Sequence, residues 1–231
     1  MTISRRNFLL QSAASAAVLS FRPGLLRADA PKAPPVPPQE ALKRLLAGNQ
    51  RFVEGHATAR NTPTRRKELS TGQAPFAAIL CCADSRVPPE TIFDQGLGEL
   101  FVVRLAGNFV DDNGLASLEY ATAVLGTQLI YVLGHESCGA VKAALEVRQK
   151  NASLPGHLPG LAASILPAVD AALATHPKDA LAAAIRANVA GNMKGLASAA
   201  PVVAPMVAKG TVMIAGGVYS LDTGKVDAVT L

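Results

Sequence analysis

The sequence predicts an α/β fold in which a mainly parallel four-stranded sheet carries an added antiparallel edge strand and helices cover both faces. Several short, continuous apolar runs have the length of buried strands, and helical stretches separate them along the chain. Strands of a parallel sheet covered on both faces are apolar throughout, so this alternation is typical of the class. The content of 49% hydrophobic and 17% charged residues supports a real core and excludes wholesale disorder.

Residues 1–30 have the features of an export signal. Ser4-Arg5-Arg6-Asn7-Phe8-Leu9 has the twin-arginine form, a weakly apolar run extends from Leu10 to Phe21, and Ala28-Asp29-Ala30 offers the small residues that a signal peptidase reads. A membrane span needs about 20 apolar residues, and this run is shorter. We expect a periplasmic protein exported by the twin-arginine route with no stable membrane span. An amphipathic N-terminal helix of the domain is the alternative.

The formal net charge of +5 belongs mostly to that segment. Residues 1–30 contain four arginines and one aspartate, which leaves 18 basic and 16 acidic residues in residues 31–231. A net charge of +2 gives little support to a nucleic-acid partner, so we predict none. The short basic run Arg65-Arg66-Lys67 fits a solvated turn of helix.

The chain after the signal is predicted to be a Pro-rich linker, residues 31–38, followed by a single domain, residues 39–231. Five prolines between Pro31 and Pro38 favour an extended segment. From Gln39 to Glu54, apolar residues recur at helical spacing and Gly55 follows, so this stretch is predicted as an N-terminal helical arm.

The remaining elements alternate between strand and helix. Four apolar runs are predicted as the parallel strands, namely Phe76–Cys82, Glu99–Arg104, Leu129–Gly134 and Thr211–Tyr219. Lys225–Leu231 follows the turn Asp222-Thr223-Gly224 and is predicted as the antiparallel edge strand. Helices are predicted over Asp112–Leu125 and Cys138–Gln149, with one or two Ala-rich helices in Leu161–Leu196.

Two motifs follow predicted strands, at the edge where parallel sheets place their sites. Cys82-Ala83-Asp84-Ser85-Arg86 follows the first strand, and His135-Glu136-Ser137-Cys138 follows the third. Together they supply two thiols and an imidazole, and thiolate and imidazole ligands favour zinc.

The number of ligands indicates the kind of zinc site. Consecutive residues of a strand point to opposite faces, so Cys81 is expected to pack in the core, away from Cys82. Three protein ligands leave a fourth position open, as catalytic zinc sites do. We predict one Zn²⁺ per subunit with water or, transiently, Asp84 in the fourth position and three protein ligands, Cys82, His135 and Cys138. The alternative for the cysteines is a Cys82–Cys138 disulfide formed after export, and the alternative for His135 is a hydrogen-bonded core histidine.

Asp84 and Arg86 are two residues apart and can project from one loop as an ion pair, because a guanidinium holds a carboxylate in one orientation. A held Asp84 can accept a hydrogen bond from water on the metal, or it can ligate the metal when Arg86 releases it. An ion pair that only stabilises the loop is the alternative.

These residues resemble the motifs of the β-class carbonic anhydrases. The resemblance extends from about Glu40 to Val229, and it rests on the segments Cys82–Arg86, Arg104-Leu105-Ala106-Gly107-Asn108 and Gly134–Gly139, with support from Gly48–Phe52 and Tyr219–Gly224. It implies a zinc lyase (carbonate dehydratase) that reversibly hydrates carbon dioxide to bicarbonate and a proton. It also implies homodimers or dimers of dimers with the active site at the dimer interface. The family's zinc ligands fall on Cys82, His135 and Cys138, and its catalytic dyad falls on Asp84 and Arg86.

Other functions stay open at this point. Hydrolysis of carbon disulfide or carbonyl sulfide is the runner-up, because related scaffolds use the same zinc set. A non-catalytic protein stabilised by zinc would need a fourth protein ligand, for which the sequence supplies no good candidate. A periplasmic thiol-redox protein would be metal-free with cycling cysteines, and the sequence lacks Cys-x-x-Cys.

Overall fold

The structure, a computed structural model, describes residues 34–58 and 61–231. The export signal predicted over residues 1–30 and the first residues of the Pro-rich linker lie outside the described residues. The strands are β1 (Ala77–Cys81), β2 (Leu100–Arg104), β3 (Leu129–His135), β4 (Met213–Tyr219) and β5 (Val226–Ala228). The α-helices are α1 (Pro38–Val53), α2 (Pro63–Glu68), α3 (Pro89–Ile92), α4 (Asp112–Glu119), α5 (Gly139–Lys150), α6 (Leu158–Leu173), α7 (Ala180–Ala197) and α8 (Val203–Ala208).

The strands form one sheet in the order β2-β1-β3-β4-β5. The first four are parallel, and β5 pairs antiparallel with β4. The predicted fold class is therefore confirmed. Because β1 and β3 are parallel neighbours, their carboxyl ends open on the same edge of the sheet, and both motifs follow there.

Burial explains why these segments are strands. Every residue of the central strands β1 and β3 is buried, as their continuous apolar sequence requires. The edge strand β2 is only partly buried, although its sequence is almost as apolar. The antiparallel strand is shorter than predicted: only Val226–Ala228 pairs with β4.

Helices cover both faces of the sheet. On one face, α1 and α3 pack against a cluster that contains Ala41, Leu45 and Cys81. The opposite face is covered in part by α7 and α8, which pack on the alternate residues of β1 and β3. The alternation of side chains along each strand separates the two clusters.

The predicted Ala-rich region forms two helices, α6 and α7. They are separated by residues 174–179, and the Asp179 carboxylate accepts the Ala182 N–H at 3.0 Å to cap α7. The predicted helix from Asp112 stops being regular at Glu119 and continues as one turn of π-helix, Tyr120–Val124. The basic run 65–67 does lie on an exposed helix, α2.

The N-terminal helix α1 packs on its own domain. Its Asn49 amide donates to the carbonyls of Ile92 and Gly224 at 3.1 and 2.8 Å, and its side-chain oxygen accepts the Val226 N–H at 2.9 Å. A glycine is required at position 48, because a Cβ there would lie 1.8 Å from the Phe93 carbonyl oxygen. This close approach fixes α1 against the end of α3, and the Asn49 bonds fix it against the β4–β5 turn.

Within the described ranges, none of the helices combines the length and the apolar character that crossing a membrane requires.

Candidate active site

The first site residue, Cys82, follows directly after the last residue of β1. It is 4% exposed and packs in a cluster with residues of α5, α6 and α7. The Gly107 N–H donates to its Sγ at 3.2 Å. Gly107 has a φ of +88°, and a Cβ there would lie 2.6 Å from Ile165 Cδ1, so glycine lets this loop approach the sulfur.

The second motif supplies the imidazole and the other thiol. His135 is the last residue of β3, and its Nδ1 lies 2.8 Å from the Glu136 carbonyl oxygen. Because a carbonyl only accepts, this contact assigns the proton to Nδ1 and leaves the Nε2 lone pair for another partner. Ser137 turns the chain with a φ of +54°, and Cys138 then precedes the first turn of α5.

The three predicted ligands meet at one point. Cys82 Sγ, Cys138 Sγ and one ring nitrogen of His135 all lie within 4.8 Å of one another. His135 Nε2 is buried and has no hydrogen-bond partner among the described residues, which is a costly state for a polar atom in a protein interior. Two sulfurs and an imidazole nitrogen fit a zinc ion, and in the described ranges the group offers three ligand residues rather than the four of a structural site.

The two neighbouring thiols shift each other's pKa in opposite directions. The neighbouring Cys138 thiol, with the Gly107 N–H, lowers the pKa of Cys82 to about 4 against the cost of burial. The Cys82 sulfur in turn raises the pKa of Cys138 far above its ordinary value. A cation bound between the two sulfurs would replace the Cys138 thiol proton.

Asp84 is held in one orientation by Arg86. Arg86 Nε donates to Asp84 Oδ1 at 3.0 Å, its terminal nitrogen donates to Oδ2 at 2.7 Å, and its backbone N–H donates to Oδ1 at 2.9 Å. These bonds hold the pKa of the Asp84 carboxyl well below its usual range. Asp84 Oδ2 also lies 3.9 Å from His135 Nε2, so the oriented carboxylate faces the ligand group.

Two polar residues outside the predicted site support these loops. Arg104, at the end of β2, donates to the carbonyls of Cys82 and Asp84. Asn188, buried on α7, donates to the Gly107 carbonyl at 2.7 Å. Asn188 could have been found from the sequence, because a polar asparagine at a core position of an apolar helix needs a hydrogen-bond partner. A lone arginine ending a strand carries no comparable signal.

Cys81 lies on the other side of β1 from the ligand group. It is fully buried and belongs to the cluster that packs under α1. Burial raises the pKa of its thiol to about 12. Its position agrees with the expected alternation of the strand.

Comparison with known proteins assigns the family. The family model described as carbonic anhydrase matches residues 77–226, which include both strand-end motifs. The chain belongs to the carbonic anhydrase family. Carbonic anhydrase 2 of Mycobacterium tuberculosis is 40% identical over 192 residues, which cover 81% of this chain and 91% of that protein.

Solved β-carbonic anhydrases have the same fold. The Coccomyxa β-carbonic anhydrase, solved in complex with acetazolamide, is 31% identical with a TM-score of 0.65, and the match covers 81% of this chain and 86% of that one. A tetrameric β-carbonic anhydrase of Sordaria macrospora matches with a TM-score of 0.67 at 24% identity over 82% and 97% of the two chains. The predicted β class and the predicted enzyme class, a lyase of the carbonate dehydratase type, are confirmed.

Proposed function

We propose that this carbonic anhydrase reversibly hydrates carbon dioxide to bicarbonate and a proton, with one Zn²⁺ bound by three residues, Cys82, His135 and Cys138. The observation that carries the proposal is the convergence of their ligand atoms within 4.8 Å, with His135 Nε2 buried and unpartnered in the described part of the chain. Bound zinc supplies Lewis acidity that makes water easier to deprotonate, an effect for which carbonic anhydrases are themselves a standard example.

Asp84 orients the reacting water in this proposal. Its carboxylate is ionised at neutral pH, and Arg86 fixes it with Oδ2 facing the ligand group. An ionised carboxylate only accepts hydrogen bonds, so Asp84 Oδ2 accepts one from the attacking water and leaves a lone pair directed at carbon dioxide. The water oxygen forms a bond to the carbon, one C=O π bond opens to give bicarbonate, and one proton leaves to buffer.

The hydrogen bonds of Arg86 favour Asp84 as an acceptor over Asp84 as a fourth ligand. Both carboxylate oxygens are occupied by Arg86, and its side chain is 54% exposed. To ligate the metal, Asp84 would have to exchange these charge-assisted bonds for the new contact.

Metal analysis and a stopped-flow assay on purified residues 31–231 test the proposed function. We expect about one zinc per chain and carbon dioxide hydration that disappears when zinc is chelated and returns when zinc is added. Parallel assays with carbon disulfide and carbonyl sulfide test the other substrates of the same scaffold. A zinc-loaded protein that hydrolyses either of these and leaves carbon dioxide unchanged would contradict the proposal.

We also propose that the protein is a homodimer or a dimer of dimers. Among the described residues, strand β2 ends the sheet on one side, and its apolar residues are only half-buried. Tyr120, 37% exposed, stacks at a tilt on Phe101 beside this edge. An open strand edge with exposed apolar side chains favours association with another chain. Light scattering coupled to size exclusion checks the mass, and a monomer at micromolar concentration would contradict this proposal.

We further propose that residues 1–30 direct export to the periplasm, on the strength of the twin-arginine sequence at Arg5-Arg6. Replacing both arginines with lysine is expected to leave the protein in the cytoplasmic fraction. Immunoblots of periplasmic and cytoplasmic fractions measure this, and unchanged export of the variant would contradict it.

A further inference from the structure

One side chain of strand β2 ties the Cys82–Asp84 segment to the sheet. Arg104 Nε donates to the Cys82 carbonyl oxygen at 3.0 Å, and its terminal nitrogen donates to the Asp84 carbonyl oxygen at 2.7 Å. We propose that Arg104 is a positioning residue that fixes Asp84 relative to the metal ligands. Its effect on turnover rests on the proposed function, whereas its anchoring of the loop does not.

Arg104 lies at the point where the hydrogen-bonded pairing of β1 and β2 ends. The last register pair between β1 and β2 joins Cys81 to Arg104, and the Leu105 N–H donates to the Cys81 carbonyl at 3.1 Å. Beyond that pair the chain from Cys82 leaves the sheet. The planar guanidinium carries several N–H donors in a rigid fork, so one side chain reaches two carbonyls two residues apart and keeps their separation fixed.

The other contacts of Asp84 do not provide this link. Arg86 belongs to the same loop, so its bonds orient the carboxylate within the loop and do not join the loop to the sheet. The Val87 N–H, which donates to the Asp84 carbonyl at 3.0 Å, likewise closes a turn inside the loop. His135, in contrast, is fixed by its position in the central strand β3. Arg104 therefore joins the backbone at Cys82 and Asp84 to the sheet that carries His135 by hydrogen bonds, while buried Val87 anchors the far end of the loop in the core.

The geometry sets the expected size of the effect. Asp84 Oδ2 lies 3.9 Å from His135 Nε2, so a loop shift of about 1 Å would change where the reacting water is held. Misplacement on that scale can cost about 100-fold in rate without abolishing binding.

The first experiment compares three variants in carbon dioxide hydration. Arg104→Met keeps the length of the side chain but removes its donors, and we expect zinc to stay bound while kcat falls about 10- to 100-fold with KM within about twofold. Arg104→Lys keeps the charge without the fork, so an intermediate kcat is expected. Arg148→Met is the matched control, because it removes an arginine from an exposed ion pair with Asp170 between α5 and α6. Wild-type kcat in zinc-loaded Arg104→Met would overturn the proposal.

Chemical rescue separates positioning from general stabilisation. In Arg104→Ala, guanidinium ion added well below denaturing concentrations is expected to restore part of kcat, whereas equal ammonium is not. A loss of kcat in Arg104→Met and Arg104→Ala that tracks loss of zinc and is not restored by guanidinium would overturn the positioning role.

Hydrogen exchange tests the anchor without any assay of turnover. The N–H groups of Arg86 and Val87 both donate to Asp84, and we expect them to exchange about tenfold faster in Arg104→Met, with β1 amides unchanged. If wild-type protein fails to hydrate carbon dioxide but Arg104→Met still exchanges these two amides faster, the proposed function is wrong and the positioning role of Arg104 is supported. If wild-type protein is active and Arg104→Met shows neither faster exchange nor lower kcat, only the positioning role of Arg104 is contradicted.

Discussion

Cys81 and Cys82 are neighbours in the chain and lie on opposite sides of strand β1. Both are almost fully buried, at 0% and 4% exposure. Cys81 is surrounded by apolar side chains under α1, and burial raises its pKa to about 12. Cys82 lies beside the Cys138 thiol and accepts the Gly107 N–H, and its pKa falls to about 4. Both sulfurs are withdrawn from solvent, so their neighbours distinguish them. Cys82 lies with Cys138 and His135, whose ligand atoms can hold a cation together with it, whereas Cys81 lies in the apolar cluster under α1.

The two sides of β1 also differ beyond the cysteines. The face under α1 and α3 is a closed apolar core in which Phe93 packs edge-on against Tyr131, with ring centroids 5.5 Å apart. The ligand group on the other side of β1 brings polar atoms together at the carboxyl ends of β1 and β3. Both faces carry apolar clusters, and the ligand group lies at the strand ends on the side of β1 opposite Cys81.

Serine substitutions at Cys81 and Cys82 are expected to differ most in zinc content and activity. Cys82→Ser removes a thiolate ligand and should lose zinc and at least about 100-fold in activity. Cys81→Ser should keep zinc and activity and lose about 1–3 kcal/mol of unfolding free energy, because it buries a hydroxyl in an apolar cluster. Zinc content, stopped-flow rates and urea unfolding measure these changes. Zinc lost from Cys81→Ser and retained by Cys82→Ser would reverse the assignment.

The remaining ligand residues belong to the same comparison. His135→Ala and Cys138→Ser are each expected to lose zinc, as Cys82→Ser does. A zinc-binding constant unchanged in either variant would remove that residue from the ligand set.

Asp84→Asn tests the role of the Asp84 carboxylate and leaves the three predicted zinc ligands in place. The amide keeps the shape of the side chain but loses its charge, so we expect zinc to stay and the hydration rate to fall about 100-fold or more. Asp170→Asn is the matched control, because it breaks an exposed Arg148–Asp170 pair between α5 and α6 and should leave the rate unchanged. Turnover of Asp84→Asn at the wild-type rate would show that its pair with Arg86 only stabilises the loop.

Thiol labelling compares the cysteines within one molecule. At pH 8, a thiol of pKa about 12 is thiolate in only about one molecule in 10,000, so Cys81 should resist iodoacetamide in the folded protein. With zinc bound, Cys82 and Cys138 should resist as well. After chelation, mass spectrometry should find label on Cys82 or Cys138 and none on Cys81. Rapid labelling of Cys81 in folded protein would contradict its placement.

Alkaline unfolding gives the smallest expected effect. The pKa of Cys81 is higher in the folded protein than in the unfolded chain, so its contribution to stability is complete below about pH 9 and is lost as pH rises toward 12. Between pH 8 and pH 10 wild type should lose about 1 kcal/mol more unfolding free energy than Cys81→Ala. Urea unfolding at both pH values measures the difference. Equal losses would mean that the Cys81 thiol titrates alike in both states.

Sequence patterns predicted the sheet because its central strands are continuous apolar runs and the motifs follow them directly. They failed where tertiary contacts decide the structure. The short helices α3 and α8 have 4 and 6 residues, too few for a clear periodic signal. Strand β5 stops at Ala228, although the predicted strand continued to Leu231.

The site was predictable to the same degree. Spacing and strand-end position predicted Cys82, His135 and Cys138 as neighbours, and the structure places their ligand atoms together. The sequence placed Arg104 in a family motif but predicted no role for it. Its two acceptors are backbone carbonyls, which have no signature in sequence. Contacts from a side chain to backbone across neighbouring strands become visible only when the register is known.

The three hydrogen bonds of Asn49 carry a kinetic consequence. Two of them join Asn49 to Gly224 and Val226, which are 175 and 177 residues away in the chain. These two bonds hold α1 on the β4–β5 turn. Closing so long a loop is entropically costly, and contacts of that separation form late. Helix α1 is the first of the described elements in the chain, and we expect it to dock among the last, after the sheet beneath it has assembled. For α1, we therefore expect the order of assembly to run against the order of the chain.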